Sequence, residues 1–206
     1  MSVAWFVDGS YAYSCWRSVA GGRNLDYTRF RTAVEEHAGD RVTDAYYFNA
    51  EDEDASPGQQ GFHTAIQAPP PYGPGLRVKL GSLQTRSFYW PESWGGGAVV
   101  HPSTGHQLEQ RFQKEVDVLL AFNLMRSYAK RGWQKLYLVA GDKDFFEVVR
   151  YLVEDEGVDV TMFGVRNSGR GTPSVASKYG PYVDVIFFED HVDDLALAPE
   201  GLRAHA

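Results

Sequence analysis

Four aspartates stand where this chain could do phosphate chemistry. Asp8 follows the apolar run Val3–Val7, Asp142 and Asp144 follow Leu136–Ala140, and Asp117 opens a helical pattern. Short apolar runs ended by turn residues read as buried strands. In an open α/β sheet the carboxyl ends of such strands border the ligand crevice. Carboxylates gathered there repel one another unless a cation stands among them, and hard divalent ions such as Mg²⁺ take oxygen ligands. Taken singly, Asp142 or Asp144 is explained as a helix cap favoured by the helix dipole. Two aspartates after one strand, with Asp8 at the equivalent end of another, point instead to a metal-dependent acidic site whose leading use is phosphate chemistry.

The elements that must position these residues follow from pattern. Tyr27–His37 carries Phe30, Val34 and His37 at helical spacing, with Asp26 available as a cap. Val42–Phe48 is aromatic and β-branched, as strands are. Glu51–Gly105 changes texture: it is acidic and rich in Gly and Pro, with Pro69-Pro70-Pro71 excluding a helix or central strand there. This stretch is expected to be a long excursion, with strands at Leu76–Leu80 and Leu83–Trp90 forming a hairpin around Gly81-Ser82. Leu108–Lys130 reads as helical, Leu136–Ala140 as a strand, Asp144–Glu156 as a helix and Val158–Phe163 as a strand. A short helix is expected within Pro173–Tyr179 and a last strand at Val183–Phe188. Alternating strand and helix favours an α/β domain with a mainly parallel sheet over residues 1–190, the excursion spanning 51–105 and a loose tail 191–206.

Bulk properties narrow the class. The chain has 206 residues, 43% of them hydrophobic, and a net charge of −7, which suits a soluble domain better than a generic nucleic-acid coat. Cys15 is the sole cysteine, so an intrachain disulfide and a thiolate zinc site are both excluded. The opening residues lack the basic segment and apolar run of a signal peptide. No stretch approaches the roughly 20 apolar residues of a membrane span. A cytoplasmic location away from membranes is expected. The six histidines show no metal-ligand spacing, and His101 and His106 receive no role.

Three segments together resemble a known family. Phe6-Val7-Asp8-Gly9-Ser10, Lys114-Glu115-Val116-Asp117-Val118 with Ala121, and Ala140-Gly141-Asp142-Lys143-Asp144-Phe145 are similar, in order and spacing, to the three motifs of the NYN (LabA-like) branch of the PIN-domain nucleases. Gly157-Val158-Asp159-Val160 with Phe163-Gly164 looks like the strand after the third motif. The resemblance spans roughly residues 3–188, with the Glu51–Gly105 region unmatched or expanded. It implies a three-layer α/β/α, PIN-like (Rossmann-like) fold and a ribonuclease dependent on Mg²⁺ or Mn²⁺. It also implies that Asp8, Asp117, Asp142 and Asp144 are catalytic, with Asp8, Asp117 and Asp142 holding metal. Tyr11 stands where the first motif usually has asparagine, and Asn123 where the second usually has aspartate. On one continuous helix Asn123 lies about 120° around from Asp117, so the two converge only if the helix begins at Asp117.

Around the acids, Ser10, Tyr11 and Asn123 are candidate supporting residues. Lys114 and Lys143 are candidates for neutralising a phosphate backbone, as are Arg166 and Arg170 beside the Gly169–Gly171 loop, with Lys178 further on. Tyr11 and Tyr13 suit stacking on unpaired bases, whereas Trp16 is expected in the core. Phe88-Tyr89-Trp90 reads as a base platform or a buried aromatic strand. RNA is the expected partner, and a homodimer is an expectation by analogy alone. The competing reading is a module that binds RNA or a protein partner without cutting. A phosphatase on a similar sheet is the least favoured, because position 10 is Ser10 where an Asp-x-Asp arrangement needs its second acid.

Overall fold

A computed structural model describes residues 2–51, 56–168 and 174–198. A seven-stranded sheet runs through it: β1 (Val3–Asp8), β2 (Val42–Glu51), β3 (Arg77–Ser87), β4 (Glu109–Lys114), β5 (Lys135–Val139), β6 (Asp159–Gly164) and β7 (Asp184–Phe187). The order across the sheet is β4-β3-β2-β1-β5-β6-β7. All neighbours are parallel except β3 and β4, which are antiparallel. The chain thus works outward from β1 in one direction, then crosses back to β5 on the other side of β1. That reversal makes β1/β5 the switch point, outside which a crevice opens.

Residue alternation explains how the sheet is buried. All six residues of β1 are buried, as expected of a parallel strand covered on both faces. Val3, Trp5 and Val7 join one core with residues of α1 (Gly9–Val19), α2 (Tyr27–Ala38) and α3 (Pro57–Gln67). Ala4 and Phe6 join a second core with residues of α4 (Val116–Arg131) and α5 (Phe146–Glu154). Truncating a fully buried residue such as Leu120 to alanine is expected to cost about 2–5 kcal/mol.

Several elements depart from expectation. The strand at Val3–Val7 is followed at once by α1, whose N-cap is Asp8 itself. The expected hairpin around Gly81-Ser82 is one unbroken strand, β3. Glycine is needed there for close approach, since a Cβ on Gly81 would lie 2.5 Å from the Lys114 carbonyl oxygen and 2.9 Å from Val116 Cγ2. The stretch expected as an excursion also supplies α3, opened by Ser56 and Pro57 in the usual cap and first-turn positions. Helix was expected across Leu108–Lys130, but Glu109–Lys114 pairs with β3 and α4 starts at Val116. The helix expected from Asp144 begins as a 3-10 turn, Lys143–Phe145, before α5.

Further along, Ser177–Tyr179 forms a 3-10 turn, while Pro173 lies outside the described residues. The segment expected as a loose tail is packed in its first part. Val192–Leu195 forms a short helix, α6, Leu195 is buried, and its carbonyl accepts from the Asp26 N–H at 2.9 Å. Among the described residues no helix is long and apolar enough to cross a membrane.

Candidate functional site

Asp8 ends β1 and is buried. Its Oδ1 accepts from Ser10 N–H at 2.9 Å, Tyr11 N–H at 3.0 Å and Ser10 Oγ at 2.8 Å. One carboxylate oxygen is therefore used in opening α1, and Oδ2 has no partner among the described residues. Burial raises the Asp8 pKa, against the lowering effect of these hydrogen bonds, and the Asp142 charge raises it further. The strand register explains that coupling: Val7 pairs with Val139, so Asp142 comes three residues beyond the last β1–β5 pair. Asp142 Oδ1 accepts from the Asp144 N–H at 3.2 Å, which opens the turn leading into α5.

Asp117 arrives from a third direction. The antiparallel strand β4 ends at Lys114, and Glu115 takes a left-handed backbone, φ 72°, before α4 begins. Asp117 then lies in the first turn of that helix, one residue inside its start. Its pKa is raised by burial first, then by the charges of Asp8, Asp142 and Asp144. The four aspartates thus share one electrostatic neighbourhood at the carboxyl end of the sheet. Among the described residues, however, no group of three His, Cys, Asp or Glu side chains is set to hold a metal ion.

Tyr11 serves as a wedge. Its hydroxyl meets Ser174 Oγ at 2.7 Å and donates to the Phe163 carbonyl at 3.2 Å. Burial drives its phenol pKa well above the ordinary value. The ring lies so near the β5 exit that a Cβ on Gly141 would come within 2.5 Å of it. Tyr11 therefore braces the strand ends from beneath and is not displayed for stacking. Tyr13, by contrast, is 61% exposed, and Trp16 is buried with its Nε1 donating to the Arg23 carbonyl at 2.7 Å.

The remaining candidates separate. Lys114 and Lys143 are exposed beside the acids in sequence. Asn123 is buried, donates its amide to the Leu119 carbonyl at 2.7 Å, and lines a different pocket with Asp44 and Arg77. Arg166 grips Asp190 through two hydrogen bonds of 2.8 and 2.6 Å and lies 4.3 Å over the Phe187 ring. Arg170 and the Gly169–Gly171 loop lie outside the described residues. Phe88, Tyr89 and Trp90 are exposed and not part of a buried strand.

Two neighbours hold the acidic turn in a way that sequence pattern did not reveal. Tyr179, to which no role was given, is buried and its hydroxyl donates to the Asp142 carbonyl. Lys178, a candidate for phosphate, instead donates from Nζ to the Lys143 carbonyl at 2.8 Å and sits 4.3 Å over the Phe146 ring. Together they fix the turn that carries Asp142 and Asp144. Only their adjacency at the end of a loop hinted at this. An open cleft of about 1250 Å³ begins at Gly9 and Ser10 and runs past Tyr13, Arg17, Tyr47 and Phe62. Its walls come from α1, α2, α3, their loops and the end of β2, not from α4 or β5.

Comparison with known proteins agrees with this architecture. No curated protein matches the chain. A solved structure of a protein of unknown function from Vibrio parahaemolyticus RIMD 2210633 is similar, with a TM-score of 0.59 and 20% identity. The match covers 95% of this chain and 96% of that one. At that identity the likeness is one of fold. The family model for the NYN domain matches residues 2–180, and the chain therefore belongs to the NYN domain family.

Proposed function

We propose that this domain is a metal-dependent endoribonuclease of three-layer α/β/α, PIN-like architecture, acting on RNA phosphodiesters in the cytoplasm. The observation that carries the reading is the meeting of carboxylates from three separate elements. The end of β1, the first turn of α4 and the exit of β5 carry these acids, and besides burial the charge of Asp142 raises the Asp8 pKa while those of Asp8, Asp142 and Asp144 raise that of Asp117. A bound cation relieves such repulsion, and an all-oxygen donor set suits Mg²⁺ or Mn²⁺.

Asp8, through Oδ2, with Asp117 and Asp142 would hold the ion, which when bound supplies the Lewis acidity and charge that phosphodiester hydrolysis needs. Asp8 is pre-oriented by Ser10 and the α1 amides, so its free oxygen needs little reorganisation. Asp144, two residues beyond Asp142, would join in holding the ion or orient water at the reacting phosphate. Lys114 and Lys143 offset the backbone charge of the strand that approaches these acids. Asp8→Asn and Asp142→Asn are expected to lose cleavage of single-stranded RNA in Mn²⁺ by more than about a hundredfold, beyond the 10–100-fold typical of outer partners. Undiminished turnover by both folded variants would remove the proposal.

One observation favours the second reading, a module that binds RNA or a protein without cutting. Asn123 supplies no charge and its amide is engaged with Leu119. Calorimetric titration with Mn²⁺ separates the two: binding abolished by Asp142→Asn, with metal-dependent cleavage, supports the enzyme, and no heat of binding supports the module.

A further inference from the structure

A second polar pocket, of about 270 Å³, lies on the face covered by α4. Its floor is a built network. Asp44, 1% exposed, accepts from Arg77 through one oxygen and from Ser127 through the other, and Trp133 Nε1 donates to Ser127 Oγ at 3.0 Å. Arg77 also donates to the Tyr46 hydroxyl at 2.6 Å, with its guanidinium 4.6 Å over that ring. Asp44 and Arg77 thereby pair with each other, and the pair orients the Arg77 guanidinium. Around this floor stand Lys79 from β3 and Arg126, Lys130 and Arg131 from α4. Among the described residues no carboxylate pairs with any of these four. Lys130 and Arg131 suit the last turn of a helix for its dipole alone. Lys79 has no such reason and Arg126 only a distant one, its guanidinium 6.0 Å from the Phe122 ring, and the four converge from two elements in a protein of net charge −7.

We propose that this pocket binds a backbone phosphate of the RNA strand that is cut at the acidic residues, an inference that rests on the nuclease reading. The volume is below the roughly 300–1000 Å³ of pockets that enclose a drug-sized molecule, which favours one phosphate group over a whole nucleotide. Position argues for the same strand. Asp44 and Tyr46 lie early in β2, whereas Phe48 is the residue paired with Asp8, so the pocket is displaced from the acids toward the strands' amino ends. Helix α4 joins the two places, with Asp117 in its first turn and Arg131 at its end. From Asp117 to Arg126 and Arg131 the helix rises about 14–21 Å at 1.5 Å per residue. Arg126 lies about 180° around the helix from Asp117, so the strand must also pass round α4 and spans at least about four nucleotides at about 3.4 Å each.

The test is fluorescence anisotropy with a labelled single-stranded 20-nucleotide RNA and a trinucleotide, in EDTA so that nothing is cut. Arg126→Glu with Lys130→Glu is compared with a charge-matched control, Arg41→Glu with Arg150→Glu, and circular dichroism checks folding of each. The pocket variant is expected to bind the 20-mer at least tenfold more weakly and to flatten its log–log salt dependence by about 0.7, the slope of one lost phosphate contact on a single strand. Trinucleotide binding and the control are expected to change less than threefold. Equal weakening by the control, or equal weakening of both RNAs, would overturn the pocket in favour of bulk charge. Inorganic pyrophosphate binding the pocket while the 20-mer is insensitive to the variant would assign the site to a free phosphate and overturn the backbone proposal. If wild type cuts RNA in Mn²⁺ yet the pocket variant binds normally, the pocket fails and the nuclease stands. Pocket-dependent binding without any cleavage retains the pocket as an RNA site and removes the nuclease.

Discussion

Asp8 carries two duties whose demands conflict. As a helix cap it accepts three hydrogen bonds through one oxygen, a role that asparagine can also fill. As an ionised carboxylate it is buried near Asp142, and its pKa is raised above the ordinary 3.8. Between 3.8 and that raised value the folded state holds the proton more firmly than the unfolded chain. Stability is therefore fully present below the unfolded value and falls as pH rises through the folded one. Asp8→Asn should melt roughly 2–4 °C above wild type at pH 7 in EDTA, equivalent to about 1 kcal/mol in a domain of this size. The gap should close near pH 3, where both side chains are neutral. Saturating Mn²⁺ should reverse the order, since only wild type gains stability from the ion. Scanning calorimetry at two pH values checks this, and a variant that melts below wild type in EDTA would refute it.

Helix α4 shows how an element is aimed by its first residue. Glu115 has the sole positive φ outside glycine among the described residues, and it turns the chain from β4 into the helix that carries Asp117. A left-handed backbone costs an ordinary residue roughly 1–2 kcal/mol, and glycine far less. Glu115→Gly should therefore stabilise the fold by about 1 kcal/mol in urea denaturation, with the direction of α4 unchanged. Loss of more than that amount would mean that the Glu115 side chain, not the backbone turn, matters here. Local pattern hides this turn, because Lys114-Glu115-Val116-Asp117 reads as a charged helical turn. Only the pairing of Glu109–Lys114 with β3 stops helix from extending backward through it. Gly81 misled in the same way, because a glycine serving close packing and one serving a turn look identical in a sequence.

At the scale of the molecule, the sheet is most deeply covered at its centre and opens at both edges. β1 is wholly buried, β7 is mostly half-buried, and β3, beside the edge strand β4, is largely exposed. Hydrogen exchange should follow that gradient, slowest at β1 and β5 and approached only by global unfolding, fastest in β4 and the Tyr89–Ala98 and Val100–Gln107 bridges. Amides in β4 that exchange as slowly as those in β1 would show that another surface covers this edge.

The apolar runs, the aspartates that end them and the spacing of the three motifs were legible in the sequence, because burial on both faces forces continuous hydrophobic strands and turns must follow them. Pattern alone was enough for β1, α2, β2, β5 and β6. Tertiary packing decided the rest. It ran β3 straight through Gly81, tied residues 192–196 to the core, and turned Tyr11 inward against Gly141. It also carried Asn123 to the basic pocket and joined Arg166 to Asp190. Each of these outcomes is a contact between residues remote along the chain, and local pattern does not encode which distant partner a side chain will meet.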